Sequence, residues 1–247
     1  MGYALNSLLI HGGIDGDKVT GAVNVPIYQT STYKQSELGV NTGWEYSRTG
    51  NPTRAALEKL IADLEGGEFG LAFASGLAAI HTVLSLFKAG DRIIISDNIY
   101  GGTFRILDKV FKPLGLQYEI TDTTDTAKIE AAIDPDTKAI YIETPANPLL
   151  SVTDIAETAK IAKKAGVLLI VDNTFLTPYL QRPLTLGVRM DRHTANATRI
   201  AEWLQESGYV KKVYFPGLAS DPGYAVQKKQ ADGPGRIDHR RRRARGL

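Results

Sequence analysis

Four places in this chain carry residue types that could act together on a ligand: Ser75-Gly76, Tyr100-Gly101-Gly102, Asn147 and Asp172. Each follows a short apolar run of the kind that forms a buried strand, and ligands of open α/β sheets bind just beyond the carboxyl ends of such strands. Ser75-Gly76 opens a helical stretch, and the free backbone N–H groups of a helix start can hold a phosphate. Tyr100 offers a ring that could stack on a planar ligand, and its glycines permit close backbone approach. Asn147 adds an amide. Asp172 ends the run Val167-Leu168-Leu169-Ile170-Val171, which reads as a strand buried on both faces of a parallel sheet. Taken singly, Asp172 fits a loop or capping carboxylate equally well, and Ser75-Gly76 fits an ordinary strand-to-helix connection. Together the four suit a flat, charged, phosphorylated heteroaromatic cofactor.

Other chemistries are disfavoured. There is no cysteine, which rules out a thiolate metal site, a cysteine nucleophile or a disulfide framework. His11, His81, His193 and His239 lack metal-ligand spacing. No Gly-x-Gly-x-x-Gly opens a helix after a strand, and no Gly-x-x-x-x-Gly-Lys-Ser/Thr occurs, which counts against dinucleotides and nucleoside triphosphates. The N-terminus lacks the basic flank and apolar core of a secretory signal, and no apolar stretch approaches the length of a membrane span, so a cytoplasmic protein is expected. The formal net charge is +2, but six arginines lie in residues 231–247 against Asp232 and Asp238, so the basic excess belongs to the tail. Without interleaved aromatics that tail is expected to be disordered rather than to bind nucleic acid.

The elements that must position these residues alternate in type, as a parallel α/β sheet requires. Strands are expected at Gly70 to Ala74, Arg92 to Ser96, Gln117 to Ile120, Ala139 to Glu143 and Val167 to Val171. Helices are expected at Arg54 to Leu64, Gly76 to Phe87, Thr103 to Lys112, Ala127 to Ile133 and Ile155 to Ala165, the first capped by Thr53 and closed by Gly66. The segment Val19 to Asn51 is irregular, and such an arm is expected to pack on a neighbouring subunit.

Five ordered motifs carry a resemblance. Tyr46-Ser47-Arg48-Thr49-Gly50-Asn51-Pro52-Thr53, Ala74-Ser75-Gly76-Leu77-Ala78-Ala79-Ile80, Tyr100-Gly101-Gly102-Thr103, Glu143-Thr144-Pro145-Ala146-Asn147-Pro148 and Asp172-Asn173-Thr174 together resemble the Cys/Met metabolism family of pyridoxal-phosphate (PLP) enzymes. Within that family the chain is most similar to bacterial cystathionine γ-lyases and γ-synthases, nearly without interruption to about Gly187. The resemblance implies an aspartate aminotransferase-type large α/β domain with a mainly parallel sheet and a truncated small C-terminal α/β domain. It implies PLP as cofactor and elimination or replacement at the β or γ carbon of a sulfur amino acid such as cystathionine, homocysteine or cysteine. It places Asp172 on the protonated pyridine nitrogen, keeping the ring an electron sink, and Tyr100 stacked on the ring, these two being the catalytic candidates. Ser75, Gly76 and Leu77 would hold the phosphate, and Asn147 and Thr174 would also contact the cofactor. Tyr46 and Arg48 would reach the neighbouring subunit's phosphate site, implying a homodimer or homotetramer.

The chain departs from the pattern in two places. The family's His-Ser-x-Thr-Lys type motif, whose lysine forms the Schiff base with the cofactor, is missing, because Pro183-Leu184-Thr185-Leu186-Gly187 runs directly into Val188-Arg189-Met190. His193 to Arg199 echoes that motif without a lysine and reads as helix. Beyond Ala231 the chain also turns from the family's further strands into arginine, glycine and proline. The expected organisation is an extended arm over 1–52, an incomplete PLP-binding domain over 53–187, a remnant of the small domain over 188–230 and a basic tail over 231–247. An inactive homologue that keeps the cofactor cradle and the dimerising arm is the alternative that the missing lysine raises.

Overall fold

The branched apolar runs from residue 92 onward fold as a parallel sheet with helices on both faces. The computed structural model describes residues 5–14, 16–184, 205–206, 210–213, 215–231 and 240–242. Its chain forms two compact units, Met1–Ala74 and Ser75–Leu247.

In the second unit the strands are β1 (Arg92–Ser96), β2 (Gln117–Thr121), β3 (Thr137–Glu143) and β4 (Leu168–Asp172), all parallel and ordered β2-β1-β3-β4. Ile93, Ile95, Ala139 and Tyr141 pack on one face with Leu84, Leu107 and Phe111, while Ile94, Ile140 and Ile142 pack on the other with Ile129, Ile155 and Ile161. This alternation explains why β1 and β3 read as continuous apolar runs: both faces are covered. The connection from β1 runs outward to β2 and then returns across β1 to β3. The carboxyl ends of β1 and β3 therefore flank the point where the winding reverses, the crevice where open sheets bind ligands.

The helices follow their capping chemistry. In the second unit, α3 (Gly76–Leu84) is capped by Ser75, whose Oγ accepts the Ala78 N–H at 3.1 Å. Asp125 caps α5 (Thr126–Ala132), and Asp154 caps α6 (Ile155–Ala165) by accepting the Glu157 N–H at 2.9 Å. The expected helix at Thr103 to Lys112 begins earlier, as α4 (Gly101–Ile106), and continues as a π-helical turn over Leu107–Phe111. Short helices α7 (Thr177–Leu180) and α8 (Tyr224–Gln230) complete the unit, and no helix among the described residues is long and apolar enough to cross a membrane. Ser75→Ala is expected to cost about 1 kcal/mol of stability, read from the denaturation midpoint at constant slope.

Two expectations for this unit are overturned, and a third falls outside the described residues. Val167 to Val171 was expected to be buried on both faces, but β4 is the edge of the four-stranded sheet; Leu168 is 56% exposed and Leu169 to Asp172 are only half-buried. Within the tail, Arg240–Arg242 forms a strand, β6, antiparallel to β5 (Val210–Val213), where disorder was expected. His193 to Arg199, expected as helix, lies outside the described residues.

In the first unit α1 (Leu5–His11) precedes α2 (Pro52–Glu65). Asn51 rather than Thr53 caps α2: its side-chain oxygen accepts the Thr53 N–H at 2.9 Å, and its amide donates to the Tyr28 carbonyl at 3.0 Å. Thr53 instead ties down the arm, donating to the Pro26 carbonyl and accepting from the Tyr28 N–H. Gly66 closes α2 with φ 69°, as expected of a glycine just past a helix end. Residues 70–74, expected as a strand, pair with no other strand among the described residues, and Leu71 and Phe73 are exposed. The arm is held by hydrogen bonds rather than by apolar burial, since Val19, Val23, Ile27 and Leu38 all lie exposed.

Candidate active site

A cavity of about 340 Å³ lies over the carboxyl ends of these strands, lined by Ser75, Gly76, Leu77, Tyr100, Asn147, Asp172 and Thr174, with Ile80, Glu143 and Phe175. The seven second-unit residues singled out from sequence therefore meet at one place. The volume falls within the range of small-molecule sites. Ser75 ends its N–H-rich turn at the start of α3, where the first backbone N–H groups have no intrahelical acceptor. The positive end of that helix faces whatever binds there.

Asp172 is held by three donors. Tyr141 donates its hydroxyl to Oδ2 at 3.1 Å, while the Thr174 hydroxyl and N–H both reach Oδ1, at 2.5 and 3.1 Å. Burial and the Asp172 charge push the Tyr141 hydroxyl far above its ordinary range, so it stays a donor at any working pH. Around Asp172 the backbone is locked as well: the Thr144 N–H bonds the Asp172 carbonyl, and buried Gln181 donates to the Thr144 carbonyl and to the Asn173 side chain, each at 3.0 Å.

Tyr100 precedes α4, and its ring folds back over Gly102. A Cβ built on Gly102 would stand 2.3 Å from the ring, so only glycine permits this pose. The glycine serves the tyrosine first and the ligand second. Tyr141 and Glu143 are functional candidates that the sequence reading missed. Glu143 follows the apolar run Ala139–Ile142 of β3 and is 4% exposed, and a carboxylate at the end of such a run is a signal that could have found it. Tyr141 gave no such signal, because an aromatic residue in a core strand is ordinary packing. Tyr46 and Arg48 belong to the first unit, where the guanidinium lies 4.9 Å from the tyrosine ring centroid and both residues are exposed. Among the described residues no lysine lines the cavity, and the sequence has none between Lys164 and Lys211.

Comparison with known proteins decides what kind of site this is. The profile of the Cys/Met metabolism PLP-dependent enzymes matches residues 6–188 and again 184–237. The chain belongs to this family. A cystathionine β-lyase of Lactococcus lactis is 47% identical over 288 aligned positions, covering 92% of this chain and 76% of the relative. A cystathionine γ-lyase of Bacillus subtilis is 44% identical over 290 positions, with 93% and 76% covered. The crystal structure of cystathionine γ-lyase from Lactobacillus plantarum complexed with L-serine superimposes with a TM-score of 0.90 at 43% identity, covering 94% of this chain and 77% of that one. The aligned lengths exceed the 247 residues of this chain, and the two profile matches meet at 184–188. The relatives therefore carry residues within the aligned region that have no counterpart in this chain. PLP is the cofactor of this family, and the cavity fits it, with a helix start for a phosphate, a ring-sized pocket and a carboxylate braced by three donors.

Proposed function

We propose that this chain is a cytoplasmic PLP-dependent carbon–sulfur lyase or transferase of trans-sulfuration, acting on cystathionine, homocysteine or cysteine. The observation that carries the reading is the convergence of Ser75, Tyr100, Asn147 and Asp172 on one cavity in a chain of this family. When bound, PLP supplies an electron sink for the carbanion left when the substrate α-carbon loses its proton. The protein's part is to keep that sink charged and placed. Asp172, acceptor of the Tyr141 and Thr174 donors, is oriented to hold a proton on the ring nitrogen. Backbone N–H groups of Gly76 and Leu77, with the Ser75 turn, would hold the phosphate, and Tyr100 would cover the ring. Asn147, which lines the same cavity, would bond the ring oxygen and the substrate carboxylate.

The sequence carries no counterpart of the family's Schiff-base lysine, so the contacts by which this chain would hold the cofactor are non-covalent. The test is to incubate the protein with PLP and cystathionine and follow release of keto acid and thiol. PLP-dependent release is expected. Cofactor binding without any release would favour the inactive homologue, a reading that the comparisons do not support over this one.

Support for an assembly comes from the arm, whose apolar Val19, Val23, Ile27 and Leu38 have no cover within the first unit. A homodimer or homotetramer would bury them and let Tyr46 and Arg48 reach a neighbouring phosphate site. Leu38→Asp with Val19→Asp is expected to shift the sedimenting species to monomer; an unchanged mass would contradict this role. Gly102→Ala should displace the Tyr100 ring and weaken binding of pyridoxamine 5′-phosphate about 3- to 10-fold, the worth of one stacking contact, as measured by fluorescence titration.

A further inference from the structure

Glu143 lies at the reversal point of the sheet and belongs to neither the phosphate cradle nor the ring-nitrogen partner. Its Oε2 accepts the Tyr100 N–H at 2.6 Å and its Oε1 accepts the Asn147 N–H at 2.9 Å. Tyr100 follows β1 and Asn147 follows β3, so one carboxylate bridges the two loops that flank the crevice between those strands. The β1–β3 ladder has ended at this level, its register closing at Ile95 and Tyr141, and the loops are also joined farther out where Asn98 donates to the Ser151 hydroxyl at 2.7 Å. Glu143 also pairs in register with Asp172 on β4, so the same residue stands beside the ring-nitrogen partner.

This carboxylate is expensive to keep. It is nearly fully buried, no cation among the described residues faces it, and its charged neighbour is another carboxylate, Asp172. A structural role in the core would be better served by an apolar residue or an amide. What the carboxylate adds is two acceptors at a fixed spacing, which set the distance between Tyr100 and Asn147.

We propose that Glu143 is a positioning residue that clamps Tyr100 and Asn147 across the crevice and so fixes the ring-binding gap of the cofactor site. The proposal rests on the reading that Tyr100 and Asn147 contact the cofactor. Glu143 acts by accepting the backbone N–H groups of Tyr100 and Asn147. A glutamine at this place keeps the shape but turns one acceptor into a donor that opposes a backbone N–H, releasing one loop. Alanine releases both.

Three measurements on the full chain test it: amide hydrogen exchange at residues 100 and 147, affinity for pyridoxamine 5′-phosphate, and melting temperature. E143Q is expected to lose protection at one of the two amides and E143A at both, while the amides of β1 and β3 keep theirs. Affinity should fall about tenfold in E143Q, the worth of one hydrogen bond to a charged group. The melting temperature of E143Q at pH 8 should hold or rise, so that its loss of affinity is not a loss of folding. Unchanged exchange at both amides would overturn the clamp, and so would lost protection with unchanged affinity. If the unmutated chain did not bind pyridoxamine 5′-phosphate at all, the cofactor reading would fall, and the exchange arm would still decide whether Glu143 holds the two loops.

Discussion

Asp172→Asn is expected to weaken binding of pyridoxamine 5′-phosphate about 100-fold while leaving the fold intact. The carboxylate is half-buried and its three donors leave it pointed rather than free, so the charge opposite a protonated ring nitrogen is what the substitution removes. Breaking such a pair costs about 3 kcal/mol, which is about two powers of ten in affinity. An asparagine keeps an oxygen for the Thr174 N–H, so the Asp172-Asn173-Thr174 turn and its contacts to Gln181 should survive. Fluorescence titration of both proteins, with circular dichroism as the control for folding, checks the expectation. An affinity within threefold of the original would mean that Asp172 is a turn carboxylate after all.

Raising the pH from 5 to 8 is expected to cost the chain about 3 kcal/mol of stability through Glu143 alone. Burial first, and then the neighbouring Asp172 charge, raise this carboxyl from an ordinary 4.5 to about 7, against the opposing pull of the Tyr100 and Asn147 N–H groups. Between those two values the folded chain holds a proton that the unfolded chain has released. The contribution is therefore fully present below 4.5, declines as the pH rises and is lost once it passes about 7. The Tyr141 hydroxyl on the same strand does not titrate in this window. Urea denaturation of the original chain and of E143Q at several pH values isolates the group, because every other titration is common to both. The difference between them should narrow toward pH 5 and grow in favour of the glutamine above pH 7. Parallel curves would show that Glu143 titrates normally.

The alternation of apolar runs and capped helices was enough to locate β1, β2, β3, α5 and α6 within a residue or two, because those elements are governed by local pattern and by burial on two covered faces. β4 was placed correctly along the chain but not in its surroundings. Burial of an edge strand depends on what lies beside it, and that partner is not encoded in the strand. Residues 70–74 failed for the same reason: Leu71 and Phe73 have the composition of a strand but no ladder to join. The site was legible as residue types after strand ends, and seven of those residues do line one cavity. Their supports were not. Glu143 reaches Tyr100, 43 residues away along the chain, as well as nearby Asn147, and Tyr141 reaches Asp172, 31 residues away; the two long contacts exist only because the parallel sheet brings the strands together. The role of Gly102 beneath the Tyr100 ring likewise depends on a three-dimensional fold-back.

The central claim is that the strand-end cavity holds a pyridoxal-type cofactor without a covalent anchor. A titration with pyridoxamine 5′-phosphate addresses it most directly, since this ligand has the ring and phosphate of the cofactor but no aldehyde to react with surface lysines. Saturable binding of one ligand per chain, competed by PLP and weakened by Asp172→Asn, is expected. Absence of saturable binding, or binding that Asp172→Asn leaves unchanged, would contradict it.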